Sequence, residues 1–194
     1  MATASSTRDS TYAGDSFALD TVLTWAELLA AQSVPWLTRQ VELKRGQPRL
    51  LAGLAHLPLA EADRIATGAM VPFFQEWLRR HGGAGPAGAD PTGYWRARAF
   101  DAGVPATQAP VAMVTGWQDI FLPAQLADYA VLRAAGRRPY LVIGPWTHGS
   151  VGLFGAALRE GSAWLRAHLA ADPGALRTAA VRIHVGGGGG WRDL

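Results

Sequence analysis

The sequence predicts an α/β protein, on three observations. Two short apolar, β-branched runs, residues 111–115 and 140–143, each end at a glycine, as strands buried on both faces of a parallel sheet tend to. Between them, residues 121–135 set Leu122, Leu126, Tyr129 and Ala130 at helical spacing. A strand–helix–strand unit of this length crosses over so that both strand C-termini reach one edge of the sheet. Asp119 follows the first strand and His148 the second, so both face the crevice where open α/β sheets bind ligands.

The remaining elements follow in chain order. Residues 1–16 are small and polar and read as a flexible lead-in. Asp20 offers an N-cap for a helix reaching about Gln32, with Val22, Trp25, Ala26 and Leu29 on one face, and Pro35 ends it. A second helical piece falls within residues 50–67, with Pro58 near its start. A third spans residues 71–80 and groups Phe73, Phe74, Trp77 and Leu78. The segment HGGAGPAGAD, residues 81–90, reads as a loop. Beyond His148, residues 156–170 form a helix with Leu158, Trp164, Leu165 and Leu169. Asp172, Pro173 and Gly174 make a turn, residues 180–185 alternate as a strand without a visible partner, and residues 186–190 form a flexible glycine turn. The expected domains are a lead-in at 1–16, a helical region at 17–100, an α/β core at 101–171 and the start of a further β domain at 172–194.

Composition removes several classes of function. Of 194 residues, 49% are hydrophobic and 17% charged, a globular balance. The net charge of +3 comes from scattered arginines, with Lys44 the sole lysine, so it predicts a solvated surface and no nucleic-acid partner, which would need a contiguous basic face. Cysteine is absent, which excludes disulfides, thiolate metal sites and a Cys nucleophile. No set of His, Asp and Glu has a metal-ligand spacing such as HExxH, so no metal is expected, and the glycine run lacks the Lys-Ser/Thr of a phosphate loop. No segment has the roughly 20 apolar residues of a membrane span, and the first ten residues lack the apolar core of a secretory signal. A cytoplasmic protein without a membrane partner is expected.

Asp119 and His148 lie 29 residues apart, in the order acid then base. In a Ser-His-Asp system the acid orients the imidazole and stabilises it once it has taken the serine proton. Where that system sits on an α/β sheet, the chain order is Ser, then Asp or Glu, then His, with acid and base on loops after late strands. Pattern alone leaves another reading open, since an Asp after a strand also serves as a turn residue and a His in a Gly/Pro loop also occurs without a role.

The words around these residues, GWQDIF and GPWTHG, resemble the cocaine-esterase and X-Pro dipeptidyl-peptidase group of α/β-hydrolases, the CocE/NonD-type acyl hydrolases. The likeness extends to YAGDSFALDTVLTW from Tyr12, PFFQEWL from Pro72 and Tyr94-Trp95-Arg96, which are similar to the helical cap of that family. VRIHVGGGGGWRDL, near the end, is similar to the first strand of its C-terminal jelly roll. The resemblance implies a partial α/β-hydrolase fold: the cap, the last βαβ unit with its helix, and the start of the jelly roll. It further implies no cofactor, Asp119 as triad acid, His148 as general base, and Trp117, Phe121 and Trp146 as walls of a substrate pocket; for Trp146 plain core packing is an equal reading. His56, His81, His168 and His184 match no functional position and are expected to be structural or on the surface.

The nucleophile is the departure. The family's G-x-S-x-x-G elbow has no counterpart here: none of Ser5, Ser6, Ser10, Ser16, Ser33, Ser150 and Ser162 lies between a strand and a helix in such a word. The chain is therefore expected to be the C-terminal-side portion of a serine hydrolase of small acyl esters or X-Pro-type peptides and amides. It would carry two of three triad residues and be nearly inactive alone, with an upstream half-protein or self-association as the partner. The rival expectation is an inert, truncated protein that serves as a binding or association module.

Overall fold

A computed structural model gives the fold and describes residues 5–14, 16–33, 35–80 and 93–194. The expected loop at 81–90, with His81, lies outside these residues. The chain divides into two compact units, residues 8–97 and residues 1–7 with 98–194. In chain order the main elements are α1 (Thr7–Thr11), β1 (Tyr12–Ala13), β2 (Ser16–Phe17), α2 (Leu19–Ala30), α3 (Trp36–Leu54), α4 (Ala62–Thr67), α5 (Pro72–Arg80), β3 (Ala112–Gln118), α6 (Leu122–Ala134), β4 (Tyr140–Thr147), α7 (Val151–Leu169), β5 (Val181–Val185) and β6 (Gly190–Asp193).

The unit of residues 8–97 is helical. Val22 and Leu23 of α2, Ala62 and Ala66 of α4 and Phe74 of α5 form its fully buried centre, with Leu50 and Leu54 of α3 packed against them. Small residues let the backbones approach: a side chain at Gly53 of α3 would meet the Ala62 carbonyl oxygen at 2.8 Å. Asp63, completely buried, closes the turn between α4 and α5. Its carboxylate accepts from the Arg64 N–H at 2.9 Å, the Val71 N–H at 2.7 Å and the Gln75 amide at 3.1 Å. A buried carboxyl group is tolerated on such terms, because hydrogen-bond donors of the protein stand in for those of water.

Several expectations for this unit change. The flexible lead-in is structured from residue 5 over the described part: α1 is followed by the β1–β2 hairpin pairing Tyr12 with Phe17. Tyr12 is buried, stacks edge-on against Phe17 and Trp95, and donates its hydroxyl to the Trp77 carbonyl at 2.6 Å. The N-cap of α2 is Ala18, and Asp20 lies in the first turn. Pro35 ends no run of helix for long; it stands at the N-cap of the 19-residue α3, which sequence reading passed over. Gly46 and Pro48 inside α3 read as breakers, but the burial of Leu50 and Leu54 outweighs their cost.

In the second unit β3, β4 and β5 are parallel neighbours and β6 closes the sheet antiparallel to β5, in the order β3-β4-β5-β6. This is the expected mixed α/β architecture. Val114 of β3 and Val142 of β4 pack on Leu153 and Ala156 of α7. α7 begins five residues before the expected start because Ser150 caps it, accepting the Leu153 N–H at 3.3 Å. The strand expected to lack a partner has one on each side: β5 pairs with β4 through Leu141 and Val181, and with β6 through Arg182 and Asp193. Residues 181–193 therefore extend the same sheet, and the glycine turn links β5 to β6. Residues 5 and 6 also belong here, with the Phe100 N–H donating to the Ser5 carbonyl at 2.7 Å and the Ser5 hydroxyl to Asp128 at 2.8 Å.

Candidate active site

The register of β3 on β4 builds the site. Residues pair in step from Ala112 with Tyr140 to Gly116 with Gly144, then shift so that Gln118 pairs with Thr147. The extra residue on β4 is a bulge of the kind that re-aims side chains at a sheet edge. It brings the next residue of each strand, Asp119 and His148, to the same point. Gly149 then takes φ of 79°, a left-handed turn that a side chain would disfavour, and hands the chain to the Ser150 cap.

The His148 imidazole meets the Asp119 carboxylate through Nδ1 and Oδ1 at 3.1 Å. The acid's side chain is fully buried and that of the imidazole 39% exposed. The same Oδ1 accepts the Phe121 backbone N–H at 2.9 Å, and the Asp119 N–H donates to the Gly116 carbonyl at 3.0 Å, so the acid is held by the turn it sits in. Phe121 also packs its ring edge-on to the imidazole, centroids 4.8 Å apart at 87°. An imidazole fixed in this way through Nδ1 directs Nε2 away from the acid. It can accept a proton there while the carboxylate stabilises the cation formed.

The other expected site residues fall differently. Trp117, 43% exposed, reaches across the strand ends and donates its indole N–H to the His184 carbonyl at 2.6 Å. Trp146 lies against the β3–β4–α7 core and tilts onto Trp191 at 5.6 Å. Its ring occupies space cleared by glycines, for a side chain at Gly144 or Gly152 would run into the indole and one at Gly116 into the Trp146 backbone. A cavity of about 220 Å³ lined by Met113, Tyr140, Trp164 and Arg177 lies toward the opposite, N-terminal ends of β3 and β4, and none of Trp117, Phe121 and Trp146 borders it. His56 contacts Glu61 at 3.2 Å, His168 packs on Trp164 and His184 on Trp191.

Among the described residues no serine hydroxyl is hydrogen-bonded to His148: Ser150 caps α7 and Ser5 serves Asp128. No group of His, Asp and Glu among them could hold a metal ion, and no helix among them is long and apolar enough to cross a membrane. Sequence reading missed three contributors: Ser150 as a cap, the Phe121 backbone N–H, and the glycines around Trp146. The first has a recognisable signal, a serine directly before an apolar helix; the other two depend on packing.

A mixed α/β sheet with an acid–imidazole pair at the C-terminal ends of adjacent parallel strands is the framework of hydrolases that activate a nucleophile through histidine. Residues 1–150 match the model of the X-Pro dipeptidyl-peptidase (S15 family), Peptidase_S15, and the chain belongs to that family, with hydrolase chemistry following by family resemblance. The matched region includes both Asp119 and His148. Comparison with curated proteins returns no match.

Proposed function

We propose that this chain supplies the acid and the general base of a cytoplasmic serine hydrolase of CocE/NonD type, acting on small acyl esters or X-Pro-type peptides and amides. The observation that carries the reading is the contact of buried Asp119 with exposed His148. In the proposed cycle His148 Nε2 takes the proton of a serine hydroxyl as its oxygen attacks the substrate carbonyl, while Asp119 retains the Nδ1–H bond and stabilises the imidazolium. The same proton passes to the leaving alcohol or amine, and an acyl-enzyme remains. Water then attacks the acyl carbon, gives a proton to Nε2, and the acid product departs as the serine recovers that proton. No cofactor enters the cycle.

The serine comes from outside the described residues, from an upstream polypeptide or an associated chain. The helical unit suits a substrate-covering cap, and Phe121 and Trp117 suit the walls of an acyl pocket. Trp146 is better supported as core packing, given the glycines that make room for it. The jelly-roll expectation for residues 172–194 gains no support from strand pairing, and the mechanism does without it.

Loss of a triad nucleophile lowers kcat on the order of 10⁶-fold, so the chain alone is expected to be nearly inactive on an activated short-acyl ester. Activity should emerge on mixing with a polypeptide bearing a G-x-S-x-x-G elbow and vanish with His148→Ala. A G-x-S-x-x-G word in the coding sequence upstream of Met1 would support the same reading. A second reading, an inert association module, is favoured by the lack of any serine at His148 among the described residues. Turnover by the chain alone that His148→Ala abolishes would sink it.

A further inference from the structure

α7 is apolar on two opposite sides. Its inner side sets Leu153 and Ala156 into the core against β3 and β4. Its outer side carries Val151, Phe154, Leu158, Leu165 and Leu169, all between 57% and 88% exposed. The spacing of three, four, seven and four residues keeps them on one stripe down the whole helix. A helix that is apolar all round is a buried helix, whereas a surface helix turns a polar face outward. The stripe exposes on the order of 600 Å², the top of the range for the largest apolar patch on a monomer.

We infer that this face is a two-fold interface with a second copy of the chain, formed by antiparallel packing of α7 on α7. The inference is independent of the catalytic reading. A two-fold contact must be self-complementary, and the stripe is. With the axis level with residue 160, Val151 lies opposite Leu169 of the second copy and Phe154 lies beside its Leu165, one position from exact register. Leu158 falls opposite Ser162, where Gly161 leaves a hollow: a side chain at Gly161 or Gly155 would meet nothing within 4 Å. The rim adds no unpaired cation, because Arg159 lies 3.9 Å from Glu160 and Arg166 is bonded to Asp172 at 2.6 Å. Two such stripes together bury roughly 1,200 Å², the lower bound for a stable, specific interface.

The test is the oligomeric state of the full chain by sedimentation velocity and light scattering. A dimer is expected, twice the 20.6 kDa of the chain. Phe154→Glu and Leu158→Glu should each shift it to monomer with an unchanged circular dichroism spectrum, whereas Leu57→Glu, an equally exposed leucine of the helical unit, should leave it dimeric. The chain has no cysteine, so Gly161→Cys near the axis should give a disulfide-linked dimer on mild oxidation, and Leu57→Cys should not. A monomer at every concentration, a dimer that survives both glutamates, or a polydisperse assembly would overturn the inference. The last two outcomes would assign the face, respectively, to no role in pairing and to open association.

Discussion

The buried carboxylate of Asp119 and the exposed imidazole of His148 meet at 3.1 Å across two neighbouring parallel strands. The contact is set by backbone register, since the shift on β4 that pairs Gln118 with Thr147 makes the next two residues neighbours. The carboxyl is held in a dry position and the imidazole remains reachable from solvent. This division of burial is what proton transfer at Nε2 requires.

Phe121 serves both partners, with its backbone N–H on Asp119 and its ring edge on His148. Phe121→Ala keeps the first contact and removes the second, an edge-to-face pairing of the order of 0.5–1.5 kcal/mol. The expected outcome is an imidazole that loses its ring-current shift and broadens in proton NMR, with the global unfolding midpoint little changed. Unaltered His148 carbon-bound proton shifts would show that the ring does not position the base.

Trp146 illustrates what sequence alone left open. The word GPWTHG points to His148, but the packing of its tryptophan depends on Gly116, Gly144 and Gly152, two of them on strands and one on α7. Gly144→Ala should destabilise the chain by about 1–3 kcal/mol through overpacking. Gly155→Ala, on the open side of α7, should instead stabilise it by about 0.5–1 kcal/mol. Urea denaturation of the two variants checks both signs, and a neutral Gly144→Ala would remove Trp146 from the core.

The strand pair at the C-terminal end has an acid-sensitive link. Arg182 donates to both carboxylate oxygens of Asp193 across β5 and β6, at 2.6 and 2.8 Å. That hydrogen bonding, ahead of the guanidinium's charge, holds the Asp193 carboxyl below its ordinary value of 3.8. With the folded value lowered, the unfolded chain takes up the proton first, so the link contributes in full above pH 3.8 and is lost as pH falls through the lower folded value. In nitrogen–proton NMR the Arg182 side-chain N–H should move toward its free position below that pH, and Arg182→Gln should abolish the transition.

The βαβ core was legible from sequence because its signals are local: apolar runs ended by glycines, a helical period between them, and an acid and a histidine directly after the strands. α3 was not, because Gly46 and Pro48 argue against a helix that only the packing of Leu50 and Leu54 sustains. The hairpin of Tyr12 and Phe17 was equally hidden, since its stability resides in distant aromatics such as Trp95. For the candidate site, the two motifs point to Asp119 and His148, whereas the β4 bulge that brings them together is a property of pairing.

In the proposed mechanism Asp119 fixes the imidazole so that Nε2 carries the free lone pair. The most direct measurement is the tautomer of His148 by long-range nitrogen–proton NMR on the full chain near neutral pH. A proton on Nδ1 and an unprotonated Nε2 are expected for the neutral ring, with that preference lost in Asp119→Ala and kept in His184→Gln. A neutral ring protonated at Nε2, or a tautomer indifferent to Asp119→Ala, would contradict it.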